Sequence, residues 1–226
     1  MSGIKAILFD CDGVVIDSEP MGCGALAQAV TEAGRPMSQH EARAIFSGNS
    51  ARDSRRWMAS NGLDAATVFA RSDDILFEMF ETSIPYIPGI ERVLCDFPLE
   101  RAICSNSSVL RLELSIGRTP LAAHFGGHVY SAEHVAQPKP APDLALHACR
   151  QLGVDPREAV FIDDNIHGIH CAKEAGCMAV GFVAPSDDRV GHADTLRAAG
   201  ADHLVNGMSE FHDLLATLLN NILEEA

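Results

Sequence analysis

From about residue 88 onward the chain repeats one alternation: a short apolar run, then a stretch whose apolar residues recur at helical spacing. The runs are RAICS at 101–105, HVYS at 128–131, AVFID at 159–163 and MAVGFV at 178–183, and KAILF at 5–9 is an earlier run of the same kind. Continuous apolar strands joined by helical crossovers belong to parallel sheets covered on both faces. The pattern therefore predicts an α/β fold built on a doubly wound parallel sheet.

Between the first run and Pro88 the pattern changes. Residues 17–83 hold no convincing strand, and Ile75, Leu76, Met79 and Phe80 recur at helical spacing. Breaks fall at GRP (34–36), SGNSA (47–51) and NGLD (61–64). This segment is expected to be an all-helical cap inserted into a core made of 1–16 and 84–226. Pro85 and Pro88 stiffen the return. In the cap, Arg55, Arg56 and Trp57 read as an exposed helix face carrying a packed indole. At the other end, FHDLLATLLNNILEE places Phe211, Leu214, Leu215, Leu218, Leu219, Ile222 and Leu223 on one stripe, as in a terminal helix docked on the core.

Charge narrows the partners. With 226 residues and a formal net charge of −14, the chain lacks the clustered Lys and Arg that binding to nucleic acid or an anionic membrane requires. No apolar run is long enough to span a bilayer. The seven cysteines form no CxxC pair and follow no signal peptide, which points to reduced thiols in a cytoplasm. Periodicity leaves monomer and homodimer open.

Ligands of doubly wound sheets gather at the carboxyl ends of the strands, and there this chain places its polar residues. The first run ends in Asp10 and Asp12, the second in Ser105 and Asn106, the segment after the third carries Lys139, and the fourth ends in Asp163 and Asp164. Two carboxylates as close as Asp10 and Asp12 repel, so one takes up a proton unless something offsets the charge. A divalent cation does so. Oxygen ligands with room left for phosphate and water suit Mg²⁺, with Asp10 and Asp164 as direct ligands. SNSS at 105–108 reads as a helix start whose backbone N–H groups and Ser105 hydroxyl hold phosphate oxygens. Lys139, one of only three lysines, sits between Pro138 and Pro140, where its reach is fixed.

DCDGVVIDSE, SNSS, KPAPD and IDDN, in that order, resemble the four motifs of the haloacid dehalogenase superfamily, in its subgroup with a helical cap after the first strand. The resemblance spans essentially the whole chain and implies a Rossmann-like core. It also implies that Asp10 is the nucleophile forming an aspartyl phosphate, that Asp12 is the general acid and base and offers its carbonyl to the metal, and that Ser105, the Asn106 backbone and Lys139 orient the phosphoryl group. Asp163 joins Asp164 in holding Mg²⁺. Gly48, Asn49, Ser50 and Arg52 are the expected substrate contacts of the cap.

The implied activity is hydrolysis of a small phosphorylated metabolite, a sugar phosphate or sugar-acid phosphate. Dehalogenating members lack an acid at the position of Asp12, and phosphonate-cleaving members use a cap lysine absent here. Mutases resembling beta-phosphoglucomutase remain the alternative. Gly22 stands where they carry a histidine, and Ala51, or Arg52 beside it, where they carry a phosphate-gripping arginine. A phosphate-responsive binding or regulatory protein is the non-enzyme alternative. His167, His170 and Cys171 read as packing or solvent-facing residues rather than a transition-metal site. Cys11, between the two aspartates, raises the expectation of oxidative inhibition.

Overall fold

The computed structural model describes residues 3–46, 51–187 and 189–224, with side chains except at 51–52 and 221–224. Six strands, β1 (Ala6–Phe9), β2 (Glu100–Ser105), β3 (Val129–Ser131), β4 (Ala159–Asp163), β5 (Met178–Val183) and β6 (His203–Asn206), form one sheet in the order β3-β2-β1-β4-β5-β6. Every pairing is parallel. The order reverses direction beside β1, which is the topological switch point of a doubly wound sheet.

Among the described residues ten α-helices accompany the strands: α1 (Glu19–Glu32), α2 (Gln39–Phe46), α3 (Ala51–Ser60), α4 (Ala65–Thr82), α5 (Ile90–Asp96), α6 (Val109–Leu114), α7 (Asp143–Leu152), α8 (Ile166–Ala175), α9 (His192–Ala198) and α10 (Gly207–Glu224). The chain separates into two compact units, one of Met1–Ile16 with Tyr86–Ala226 and one of Asp17–Pro85. In the sequence, the helical segment is inserted between β1 and β2.

The sheet unit is built on alternation. Ala6, Leu8, Ala102, Cys104, Ala159 and Phe161 form part of one buried cluster together with α7 and α8. Phe9 meets Phe125 and Phe211 edge-on, with ring centroids 6.0 and 6.2 Å apart. The terminal stripe thus docks through Phe211 and Leu215, both fully buried, while Leu214, Leu218 and Leu219 are half-buried.

The helical unit has its own core, in which Val30, Met58, Val68, Ile75, Leu76 and Phe80 are buried. Asp64 caps α4 by accepting from the Thr67 N–H at 3.1 Å, which is why NGLD starts a helix there. Trp57 packs edge-on against Phe46 at 5.0 Å, and Arg55 and Arg56 are exposed, as the sequence suggested. Gly48, Asn49 and Ser50 lie outside the described residues, as does the Arg52 side chain.

Two features differ from the sequence reading. The strand β6 was not expected, because HLVN is short and carries polar His203 and Asn206 on a sheet edge, where alternation is weak. SNSS is a loop preceding α6 and not its first turn: Ser108 is the cap, accepting from the Arg111 N–H at 3.2 Å. Among the described residues no helix is long and apolar enough to cross a membrane.

The Phe211 contact makes a direct prediction. Phe211→Ala removes a fully buried ring from the Phe9 stack, and urea denaturation should show a loss of roughly 3–5 kcal/mol.

Candidate active site

Strand register assembles the acidic end of the sheet. Phe9 pairs with Ile162 on one side and Ile103 on the other, so Asp10 and Asp163 lie side by side one residue further on. The Asp10 N–H still donates to the Ile162 carbonyl at 3.0 Å. Beyond Asp10 the chain turns tightly, with the N–H groups of Val15 and Ile16 both donating to the Cys11 carbonyl at 3.0 Å. Gly13 sits in this turn at φ +79°, and a Cβ there would come within 2.9 Å of the Asp164 carboxyl carbon. The position needs glycine for its conformation and for its proximity to Asp164.

Lys139 occupies the gap between the paired aspartates. Its ammonium lies 2.7 Å from Asp163 Oδ2 and 2.9 Å from Asp10 Oδ1, and 5.6 Å above the Phe161 ring. All three charged groups are buried. Asn106 fixes the lysine backbone from both directions: its amide donates to the Lys139 carbonyl and its carbonyl accepts the Lys139 N–H, each at 2.9 Å. The Asn106 side chain is thus committed to positioning Lys139, which leaves only its backbone for the expected phosphate contact.

Burial dominates the electrostatics. It pushes Asp10 up to about 7 against the lowering pull of Lys139, with Asp163 and Asp12 adding to the rise. Asp163 is also raised, by burial first. Burial opposes the charged form of Lys139, but Asp10 and Asp163 outweigh it and hold the ammonium above its ordinary value.

Asp12 has a different environment, about one quarter exposed. Ser107 Oγ donates to its Oδ2 at 2.8 Å and Arg111 Nη2 donates to its Oδ1 at 3.0 Å. Ser105 is buried, and its Oγ accepts from the Ser107 N–H at 3.1 Å. Asp164 meets a third cation, Arg189, at 2.9 Å. Ser107, Arg111 and Arg189 were not singled out in the sequence. Arg111 carried a usable signal, since a helix capped at Ser108 brings its third residue close to the SNSS loop; Arg189 carried none.

Gly168 is another residue the sequence reading passed over, although it lies within HGIHC. A Cβ there would fall 1.7 Å from Asp163 Oδ2. Helix α8 can approach the strand end only without a side chain at this point. His167 and His170 are exposed and Cys171 is buried; they join no metal-ligating cluster among the described residues. Cys11 is fully buried, and its thiol is pushed well above its ordinary value, by burial first and then by Asp12 and Asp10. It is not poised as a thiolate, so the expected oxidative inhibition has no support at this residue.

The residues fit a divalent cation. Ligand oxygens of Asp10, Asp163 and Asp164 lie within 4.8 Å of one another. Asp10 Oδ1 is buried with no directed hydrogen bond, despite its ion pair with Lys139. Hard carboxylate oxygens of this kind suit Mg²⁺. Asp163 already accepts from Lys139 through Oδ2 and from the Asn165 N–H, at 2.8 Å, through Oδ1.

A parallel sheet whose carboxyl edge carries paired acids and a buried lysine is the framework of a phosphoryl-transfer enzyme. A model of the haloacid dehalogenase-like hydrolases matches residues 4–176, and the chain belongs to that family. It is 34% identical to a haloacid dehalogenase-like protein of unknown function from Agrobacterium tumefaciens, with a TM-score of 0.82 over 97% of this chain and 100% of that one. The N-acetylmuramic acid 6-phosphate phosphatase of Pseudomonas aeruginosa is 29% identical over 94% of this chain and 95% of its own length. The 6-phosphogluconate phosphatase of Escherichia coli is 24% identical over 81% of this chain and 85% of its own. Within the family this protein is of the phosphatase type, a phosphoric monoester hydrolase.

The close approach of α8 is testable through its glycine. Gly168→Ala should displace the Asp163 carboxylate, lower the melting temperature by an amount corresponding to about 1–3 kcal/mol, and abolish phosphate release. Gly22→Ala, whose Cβ would meet nothing within 4 Å in α1, should leave the melting temperature unchanged or raise it slightly.

Proposed function

We propose that the protein hydrolyses the monoester of a small sugar phosphate or sugar-acid phosphate, with Asp10 as nucleophile and Asp12 as general acid and base. The observation that carries this reading is the division of environments between the two aspartates. Asp10 is buried against Lys139, whereas Asp12, two residues on, is partly exposed and oriented by Ser107 and Arg111. Two carboxylates separated in this way take two roles.

In the first step an Asp10 carboxylate oxygen attacks phosphorus, the ester P–O bond breaks, and Asp12 delivers a proton to the departing alcohol. In the second, Asp12 takes a proton from water, the resulting hydroxide attacks the aspartyl phosphate, and inorganic phosphate leaves with Asp10 restored. Lys139, anchored by Asn106, neutralises charge on the phosphoryl oxygens, with the Ser105 hydroxyl and the Asn106 N–H as orienting donors. Asp10 and Asp164, with Asp163 beside them, are the residues that would hold Mg²⁺. When bound, the ion supplies positive charge to the phosphoryl group and keeps the carboxylates ionised.

The substrate class draws on two relatives whose names specify 6-phosphogluconate and N-acetylmuramic acid 6-phosphate, both sugar acids carrying a primary phosphate.

The test is phosphate release from a panel of sugar phosphates, sugar-acid phosphates and phosphoglycolate, in Mg²⁺ and in EDTA. Turnover should require the metal and vanish in Asp10→Asn, and Asp12→Ala should lower kcat by roughly 10²–10⁴-fold. Turnover retained in Asp10→Asn would overturn the nucleophile assignment. Isomerisation of a sugar phosphate in the presence of a bisphosphate activator, without net release, would make the protein a mutase.

A further inference from the structure

Asp164 is held from several directions by groups that the hydrolytic steps above do not use. Arg189 Nη2 donates to its Oδ2 at 2.9 Å. The guanidinium is itself braced by Asp187, to which Nε donates at 2.9 Å and Nη2 at 2.8 Å, a two-point contact that fixes its plane. The Asp187 side chain is 1% exposed, and its Oδ1 also accepts the Arg189 N–H at 2.9 Å. The backbone of Asp164 is tied as well, because His192 Nε2 lies 2.8 Å from its carbonyl oxygen. A carbonyl only accepts, so Nε2 carries the hydrogen. On another side Gly13 approaches so closely that a Cβ would lie 2.9 Å from the Asp164 carboxyl carbon.

Such bracing answers a mechanical problem. Asp10, Asp163 and Asp164 present oxygens within 4.8 Å of one another, and like charges at that distance push the most accessible of them outward. Of the three, the Asp164 side chain is the most exposed, at 15% against 12% for Asp10 and 0% for Asp163. Lys139 restrains the other two. The segment between β5 and α9 supplies the restraint for Asp164.

We propose that Arg189 is a positioning residue for Asp164, and that Asp187 and His192 lock it in place so that Asp164 is aimed at a divalent cation before the cation arrives. The proposal rests on the reading of Asp10 and Asp164 as cation ligands. Two effects of the guanidinium oppose each other: its charge repels an incoming cation, and its hydrogen bond fixes the ligand. The two-point brace from a buried carboxylate favours the second, since a fixed, outward-facing partner of a ligand raises metal affinity by orientation. An arginine that merely competed with the cation would need freedom to withdraw, and the Asp187 contact denies it.

Isothermal titration of the full chain with Mg²⁺ alone decides between them. Arg189→Gln should weaken Mg²⁺ binding by roughly 10–100-fold, and Arg189→Lys, which keeps charge but loses the fork, should weaken it similarly. Because Arg189→Gln leaves Asp187 buried without its counterion, the double variant Asp187→Asn/Arg189→Gln is measured beside it and should show the same loss. In steady state the Mg²⁺ concentration for half-maximal rate should rise by the same factor, with kcat at saturating Mg²⁺ retained. Unchanged or tighter Mg²⁺ binding in the folded double variant would overturn the proposal alone. Wild-type binding that is absent, or insensitive to Asp164→Asn, would overturn the ligand assignment and the proposal with it.

Discussion

The contact on which the site depends is the buried ion cluster of Lys139 with Asp10 and Asp163. Taking three charges out of water is costly, and such clusters persist only where geometry and further hydrogen bonds compensate. Here compensation comes from Asn106, which fixes the lysine backbone, from the Asn165 N–H on Asp163, and from a helix that approaches close enough to exclude water because Gly168 has no side chain. An apolar trio of the same volume would serve stability equally well. Retaining the charged one suits the proposed chemistry instead: a carboxylate beside a fixed cation is already arranged for an anion to enter.

Around this cluster Asp12 pairs with Arg111, and Asp164 shares Arg189 with Asp187. The pairing keeps functions separate. If one flexible lysine served every acid, a movement toward substrate would disturb them all. With distinct partners on α6, on the loop before α7 and on the segment before α9, the proton exchange proposed for Asp12 leaves Asp10 and Asp164 where they are. The overall charge of −14 therefore misleads as a guide to the site, since three cations, Lys139, Arg111 and Arg189, are placed against its carboxylates.

The sheet was legible because its central strands β1 and β4 are buried throughout and β5 over its middle, so that they read as uninterrupted apolar runs. AVFID and MAVGFV correspond residue for residue to β4 and β5. HLVN escaped notice because an edge strand needs no such run. At the site, the acids and Lys139 could be picked out by their position at strand ends, which parallel register then brought together. Residues acting across space were not legible in this way. Arg189 meets Asp164 from 25 positions away and Arg111 meets Asp12 from 99, and neither separation follows from local periodicity. Gly168 looked like an ordinary helix glycine, since nothing in HGIHC announces that Asp163 lies against it.

Charge counting around the site supports the divalent cation from a second direction. Taken together as one set, Asp10, Asp12, Asp163, Asp164 and Asp187 face Lys139, Arg111 and Arg189 in three groups of ion pairs. With all of them ionised the set carries two excess negative charges, and a phosphate monoester approaching it brings up to two more. Lys139 alone cannot offset both, since it is already shared between two carboxylates. Protonating Asp10, which burial favours, would relieve the repulsion at the expense of the proposed nucleophile. A divalent cation relieves it without that loss, because it cancels the excess and leaves Asp10 ionised. The same electrostatics that bring the aspartates together therefore make the proposed role of Asp10 as nucleophile depend on a positive charge beyond those of Lys139, Arg111 and Arg189.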